Sequence, residues 1–319
     1  MHEKIIHSFS HFEKLHETYL KRQMFLSWMN RMYPGCRSFG PLRMNPRKHL
    51  KPRPIQSLCR LNCSSIKSLL KEIVREKFDV DPLPGRALFE LLIVLYFLSN
   101  GITYKVLGHA FGISPSSAHD IVRRWIKPMK AWAYKQIKLP DSISEQEKIS
   151  EAFQKRSKKK GFRGCVGLLD GVVISIKKPQ YDQQSYWCAR KHIHGMTTLA
   201  MVDHRWRFIY VFIGWPARSH DSMVLMNDPI WKKGYFPPKG NDYWILADCG
   251  FPNAVEPIRI LTPFKDRGDL TEEQKEYNRT LRSVRSRNEH VFGLLKKVFR
   301  ILSGESGPLN TWTPKKSTK

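Results

Sequence analysis

The chain has 319 residues, enough for about two domains, and its 55 lysines and arginines outnumber its 28 aspartates and glutamates to give a formal net charge of +27. Hydrophobic residues make up 41% of the sequence, which supports a folded core and excludes wholesale disorder. The longest apolar run, residues 91–98, is far shorter than the roughly 20 residues of a membrane span, so no membrane partner is expected. The positive charge instead indicates a polyanionic partner, with nucleic acid as the leading candidate.

Residues 1–60 form the first predicted segment, a basic N-terminal arm or linker. Prolines at positions 46, 52 and 54 interrupt helix and sheet alike within the basic stretch 43–54. This stretch is suited to lying on phosphates, although a merely solvated tail fits the composition equally well.

Residues 61–150 predict a helical domain that contains a helix-turn-helix at about 103–126. A short helical pattern is followed by a turn, and the second helix begins with two residues that favour a helix start. Ser114 suits the N-cap and Pro115 suits the first helical position.

The second helix of this motif has one apolar face and one polar face. Arg123 and Arg124 lie outside the apolar face, so we predict that both contact DNA, with the helix in a major groove. An ordinary helical hairpin is the alternative. The apolar face consists of Ala118, Ile121, Val122 and Trp125.

Residues 160–302 predict a mixed α/β domain, because the hydrophobic period changes from helical to strand-like after a polar boundary at about 140–162. Three strands come first, followed by a helix, a fourth strand and a long helix, an order typical of a mixed sheet. The predicted strands cover 165–176, 197–203, 207–214 and 243–247, and the predicted helices cover 221–231 and 272–302. The last residues, 303–319, are expected to form a short tail.

Three carboxylates stand out in this domain. Asp170 interrupts an apolar strand, where an unpaired charge is costly, and Asp248 lies just past the end of another strand. If the two strands are neighbours, the carboxylates repel each other and require a cation. Glu289 lies on the long helix, at a spacing that places it on one face with Arg285 and Lys296.

Three hard oxygen ligands beside a polyanionic substrate suit Mg²⁺ or Mn²⁺. Two such ions activate a water or a 3′-hydroxyl and stabilise the leaving oxygen of a phosphodiester. The alternative is that the carboxylates are solvated surface residues, and spacing alone does not decide between the two.

The order and spacing of a larger set of residues resemble the DDE transposases of the Harbinger (PIF) superfamily and their domesticated nuclease-like relatives. The resemblance runs from about residue 102 to residue 302. It is carried by Leu169-Asp170-Gly171, Tyr186, Arg190-Lys191, Ser219-His220-Asp221-Ser222, Leu246-Ala247-Asp248-Cys249-Gly250-Phe251-Pro252, Leu261-Thr262-Pro263-Phe264, Asn278, Arg285, Glu289, Phe292-Gly293 and Lys296.

The resemblance implies an RNase H-like catalytic domain, preceded by a helix-turn-helix, and metal-dependent DNA strand cleavage and joining. It assigns the catalytic and metal-binding acids to Asp170, Asp248 and Glu289. Asp221 is the alternative second aspartate or a nearby ligand, since it precedes the predicted helix, whereas Asp248 follows the fourth strand. Contacts to DNA are implied for Arg190, Lys191, His220, Arg285 and Lys296. For His220 and its neighbours the alternative is a helix N-cap, and for the 190–191 pair it is a solvated turn.

The sequence departs from the family pattern at Val172, Val173, Cys249 and Phe251, and residues from 308 onward do not resemble the family's final helix. This predicts that a closing helix is absent or that the sequence is truncated. A catalytically inactive, domesticated DNA-binding protein is therefore the alternative to a nuclease. An RNA-binding or ribosome-associated protein is a third possibility, which leaves the acidic residues unexplained.

The expected partner is DNA, and the expected location is the nucleus, with the cytoplasm as a second compartment. The resemblance suggests a separate Myb-like DNA-binding partner, and a homo-oligomer is a further option. Six cysteines are too sparse for a disulfide scaffold, which agrees with a reducing compartment.

Overall fold

The structure, a computed structural model, describes residues 59–75, 84–157 and 162–303. The predicted arm, apart from its last residues, and the tail from residue 304 lie outside these ranges. The chain divides into two compact units. In its described part, the first unit contains the residues up to Ala133 together with a short return segment, Val298–Ile301. The second unit contains Tyr134–Lys297.

The first unit is helical in its described part. Its four helices are α1 (Cys63–Arg75), α2 (Pro84–Asn100), α3 (Tyr104–Phe111) and α4 (Pro115–Gln136), the last of which runs three residues past the unit boundary. Helix α2 is buried along most of its length, as expected for an apolar run that is too short to span a membrane. None of the helices that the structure describes combines the length and apolarity needed to cross a lipid bilayer.

Helices α3 and α4 form the predicted helix-turn-helix. Gly112 ends α3 in the left-handed conformation, with φ of 66°, which a glycine adopts without strain. Ser114 caps α4, because its Oγ accepts a hydrogen bond from the amide of Ser117 at 3.0 Å. Gly108 brings the turn close to α3, since an added Cβ would lie 2.7 Å from the carbonyl oxygen of Ile113. The capping predicted from the sequence is confirmed.

The second unit is built on a mixed sheet. Its strands are β1 (Cys165–Ser175), β2 (Trp187–Cys188), β3 (Ile193–Val202), β4 (Phe208–Pro216), β5 (Trp244–Leu246) and β6 (Ile260–Leu261). The order across the long part of the sheet is β4-β3-β1-β5-β6, and β2 pairs with the start of β3. Strand β3 is antiparallel to β1 and β4, whereas β5 is parallel to β1 and β6. This arrangement is that of an RNase H-like sheet, so the predicted fold class is confirmed.

A tight hairpin joins β3 to β4, as the sequence predicted. The carboxylate of Asp203, at the end of β3, accepts hydrogen bonds from the amides of Arg205 and Arg207 at 2.7 and 2.9 Å. It also pairs with the guanidinium of Arg207 at 2.7 Å, so the buried charge is compensated within the turn.

Helices cover both faces of the sheet. They are α5 (Ile143–Ser157), α6 (Gln183–Tyr186), α7 (Asp221–Asn227), α8 (Pro229–Lys233) and α9 (Glu272–Val298), with 3-10 turns at Ala189–Lys191 and Arg300–Leu302. Successive residues of β1 alternate between the faces: Leu169 packs with α7 and α8, and Leu168 packs with α5 and α9.

Two predicted elements differ from the structure. The single helix expected over 221–231 is two helices, because Asp228 ends α7 and caps α8 by accepting a hydrogen bond from the amide of Ile230 at 2.8 Å. The final helix ends at Val298, and residues 300–302 continue as a 3-10 turn.

Candidate active site

The centre of the second unit's sheet holds the first candidate acid. Asp170 lies within β1, opposite Ala200 of β3, and the side chain is 8% exposed. Its Oδ1 accepts a hydrogen bond from the amide of Gly171 at 2.8 Å. A carboxylate that is buried this far is expensive to ionise, so its retention in an apolar strand favours a functional role.

Asp221 is pressed against β1 beside this acid. It is the first residue of α7, and its carboxylate lies directly over Gly171. An added Cβ at Gly171 would lie 2.6 Å from Cγ of Asp221, far inside van der Waals contact. Glycine at position 171 is therefore what allows the carboxylate to approach the strand.

Asp248 follows β5, which is the parallel neighbour of β1. Its Oδ1 accepts a hydrogen bond from the amide of Gly250 at 2.7 Å. Its Oδ2 lies 3.6 Å from the guanidinium of Arg285 on α9. The parallel register of the two strands pairs Leu168 with Leu246, which explains why an aspartate two residues after β5 comes near Asp170 of β1.

The pKa values of Asp170 and Asp221 reflect the closeness of these acids to one another and to Asp248. Burial raises the pKa of Asp170 to about 6, and the charges of Asp248 and Asp221 add to the rise, whereas the amide of Gly171 and the charge of Arg285 oppose it. Burial, followed by the charge of Asp248, also raises the pKa of Asp221. The structure therefore brings Asp170, Asp221 and Asp248 into one acidic cluster.

Cationic side chains surround this acidic cluster. The charges of Arg190 and Lys191, on the 3-10 turn after β2, together with that of His220, act against the rise in the pKa of Asp221. Lys296 of α9 donates a hydrogen bond to the carbonyl of Val173 on β1 at 2.7 Å. Burial, followed by the charge of Lys191, lowers the pKa of the Lys296 ammonium. An anionic ligand at the carboxylates would therefore meet positive charge from two elements.

Glu289, the third predicted acid, lies on α9 one turn after Arg285. The structure describes the backbone of α9 at this position, and the side chains of residues 286–289 lie outside what it describes. The assignment of Glu289 to the acidic cluster remains a prediction.

The donor set fits a hard divalent cation in its chemistry. The charges of Asp248 and Asp221 add to the raised pKa of Asp170, and that of Asp248 adds to the raised pKa of Asp221, so a bound cation would relieve both acids. Carboxylate oxygens are the ligands that Mg²⁺ and Mn²⁺ prefer. Among the side chains that the structure describes, no group of three or more is already arranged as a metal site. The choice between Asp221 and Asp248 as second aspartate stays open, since both lie in the cluster.

The two arginines predicted to contact DNA have different surroundings. Arg123 is exposed on α4. Arg124 donates a hydrogen bond to Oε1 of Glu90 at 2.7 Å, and Trp125 donates to Oε2 of the same residue at 2.8 Å. Glu90 is 2% exposed, so Arg124 compensates a buried charge in the helical unit. The sequence signal for this pair was Glu90, a glutamate within the apolar run of α2, and it was missed.

A cleft of about 960 Å³ extends from the acidic cluster across the second unit. The predicted residues Arg190, His220, Asp221 and Asp248 line it. Trp187, which also lines it, was not identified from the sequence, because an isolated tryptophan is more often a core residue. His220 is exposed and is the N-cap of α7 by its backbone, with no side-chain capping bond.

Two family matches agree with this arrangement. Residues 169–318 match the DDE superfamily endonuclease family, and residues 90–131 match the helix-turn-helix of DDE superfamily endonucleases. The matches occur in the expected order and together cover more than half of the sequence. The chain belongs to the DDE superfamily endonucleases. The family resemblance and the helix-turn-helix predicted from the sequence are thereby confirmed.

Curated relatives are similar over most of this chain. It is 27% identical to Protein ALP1-like of Arabidopsis thaliana, over 66% of this chain and 53% of that protein. It is 26% identical to Putative nuclease HARBI1 of Homo sapiens, over 72% of this chain and 62% of that protein. The chain thus spans between half and two thirds of the length of these relatives. The Mos1 transposase paired-end complex aligns with a TM-score of 0.20 at 13% identity, covering 79% of this chain and 82% of that one, which does not establish a common fold.

Proposed function

We propose that this DDE superfamily member is a metal-dependent DNA endonuclease that hydrolyses phosphodiesters, with strand joining by a 3′-hydroxyl as a further activity. The observation that carries the proposal is the acidic cluster of Asp170, Asp221 and Asp248 at the centre of the sheet, beside Arg285. Membership of the family and the helix-turn-helix support DNA as the substrate.

Asp170, Asp248 and Glu289 would hold Mg²⁺ or Mn²⁺, with Asp221 as an additional ligand. Divalent ions bound there supply an activated water or 3′-hydroxyl and stabilise the leaving oxygen. The protein's own part would be to hold these carboxylates on the regular structure of the sheet and its helices, so that little reorganisation accompanies the reaction.

The cationic residues of the site position the phosphate. Arg285 and Lys296 approach from α9, and Arg190 and Lys191 approach from the turn after β2. Arg123 and Arg124 are both exposed on α4 and would both contact phosphates, although Arg124 also donates a hydrogen bond to Glu90. We further propose that the protein works in the nucleus; a Myb-like partner and self-association remain predictions from the resemblance.

A DNA-binding protein without catalysis is the second candidate. It is favoured by the pairing of Asp248 with Arg285, which satisfies a carboxylate by a cation from the protein itself.

Nicking of supercoiled DNA separates these two functions. The full chain should convert plasmid to the open circle in Mn²⁺ or Mg²⁺, and Asp170→Asn should lower the rate by about 100-fold or more, because the central ligand loses its charge. Asp266→Asn, which changes an exposed aspartate on the same unit, is the matched control and should nick at the normal rate.

DNA binding, measured by fluorescence anisotropy, should persist in Asp170→Asn. Equal nicking by Asp170→Asn and the normal protein would exclude the metal mechanism. Binding without any nicking in either metal would favour the DNA-binding protein.

A further inference from the structure

The cleft beside the acidic cluster has a chemically mixed lining. Asp221 and Asp248 contribute carboxylates, and Trp187 lies in the lining with the basic side chains of Lys178, Arg190 and Arg218. The cleft's volume, about 960 Å³, is within the range of sites that enclose organic ligands. A phosphate held at the carboxylates would therefore have the rest of its nucleotide next to a basic and aromatic surface.

Trp187 is fixed in place by a short hairpin. Strand β2 contains only Trp187 and Cys188, which pair with His194 and Ile193 of β3. Successive strand residues point to opposite faces, and Cys188 is buried in a small apolar cluster with Val173. Trp187 consequently points away from that cluster and is 38% exposed.

A planar group can reach the indole of Trp187. The imidazole of His194 meets the indole at 59° with ring centres 5.0 Å apart, and that of His192 meets it at 67° and 6.2 Å. Both imidazoles approach at a steep angle, so neither stacks on a face of the indole. The histidines support the ring, and its 38% exposed fraction is the part that a base can contact.

Basic side chains connect this ring to the acidic cluster. Arg190 lines the cleft three residues after Trp187, and its charge acts on Asp221. Lys178 also lines the cleft, and burial, followed by the charge of Lys178, lowers the pKa of the His194 imidazole. Phosphates on either side of a nucleotide in the cleft would therefore meet positive charge.

We propose that this cleft holds one unpaired nucleotide next to the bond that is cut, with its base stacked on Trp187 and its phosphate beside Arg190. A base within a duplex cannot reach such a surface without leaving the stack, so the preferred substrate is DNA that is locally unpaired. The inference rests on the proposed function for the position of the cut, and it is tested by binding alone.

The test compares two forked DNAs that share one duplex. One carries normal bases in the unpaired strand, and the other carries abasic sites there, so the ratio of their dissociation constants isolates the contribution of the bases. The full chain should bind the base-bearing fork about tenfold more tightly in EDTA, where no strand is cut. The duplex contacts of the helix-turn-helix cancel in the ratio.

Trp187→Ala should reduce this ratio to about 1, and Trp187→Phe should keep most of it, because phenylalanine still offers a ring. Tyr181→Ala is the matched control, because Tyr181 is an exposed aromatic residue that precedes β2 and is not among the residues that line the cleft. The ratio of dissociation constants for this variant should equal that of the normal protein. Partial unfolding of a variant does not change the ratio of the two dissociation constants, since both DNAs bind the same folded fraction.

A ratio that is unchanged in Trp187→Ala overturns the stacking proposal, as does a ratio near 1 in the normal protein. If either of these results is found while nicking still depends on Asp170, the stacking proposal fails and the proposed nuclease function stands. A base-dependent ratio that disappears in Trp187→Ala supports the stacking even if no metal supports cleavage, in which case only the nuclease function fails.

Discussion

The carboxylate of Asp221 occupies the space above Gly171 that any other side chain would need. Gly171→Ala should displace this carboxylate and lower the nicking rate by about 100-fold, since small displacements of catalytic groups have effects of that size. The fold should persist, because the new methyl group meets the end of a side chain and not the backbone. Nicking assays and a thermal melt of the variant measure the two effects.

A double-variant cycle provides the control for this position. In an Asp221→Gly background, the further change Gly171→Ala should have no additional effect on nicking, because the group that it displaces is already gone. If the reductions in nicking rate of the two single variants multiply in the double variant, Gly171 affects nicking by a route other than the position of Asp221.

Helix α4 contains two adjacent arginines with different roles. Arg123 is exposed, so Arg123→Ala should weaken DNA binding and reduce the slope of log K against log salt by about one, without a change in stability. Arg124 compensates the buried Glu90, so Arg124→Ala should lower the free energy of unfolding by about 2 kcal/mol.

Binding at a series of salt concentrations and urea unfolding separate the two arginines. Glu90→Gln in the Arg124→Ala background is the control, since it removes the buried charge with which Arg124 pairs and should recover part of the stability. An Arg123→Ala variant with an unchanged salt slope would contradict the placement of α4 on DNA.

The elements that could be predicted are those with long, clear patterns. The helix-turn-helix, the β3–β4 hairpin, strand β1 and the start of α9 at Glu272 follow from periodicity and capping. Strand β6 was missed because it has only two residues, which no alternating pattern can reveal. The break between α7 and α8 depends on the bonds of Asp228, whose partner Tyr210 is on another element.

The acidic residues of the candidate site could be identified from the sequence by their type and their position in the predicted strands. Asp170 was conspicuous because a charge inside an apolar strand is unusual, and the topology brings Asp221 and Asp248 to it. The closeness of Asp221 to Gly171 depends on how α7 meets β1, which the sequence does not encode locally. The roles of Glu90 and Trp187 depend on burial and exposure, which appear only in the folded chain.

The acidic cluster lowers the stability of the whole fold when no cation is bound. The pKa of Asp170 is raised to about 6 when folded, so the folded state binds more protons than the unfolded state between about pH 4 and pH 6. Stability therefore falls as the pH rises through this window, and the full penalty applies above it. Asp170→Asn removes this penalty.

In EDTA at about pH 7.5, Asp170→Asn should raise the free energy of unfolding by an amount on the order of 2 kcal/mol, and the gain should vanish towards pH 4. Urea unfolding across this range measures the effect, with Asp266→Asn as the exposed control. A variant that is no more stable than the normal protein at neutral pH would contradict the strained state of the cluster.

Gly171 also bears on how copies of this gene change with time. One base substitution turns a glycine codon into an alanine codon, so the change that displaces Asp221 is always within reach of random mutation. A copy that acquired it would keep the helices that bind DNA, because they are built from a separate stretch of the chain. Under the proposed function, such a copy would still bind DNA and would nick it about 100-fold more slowly, so binding and cutting would have been separated by one small change.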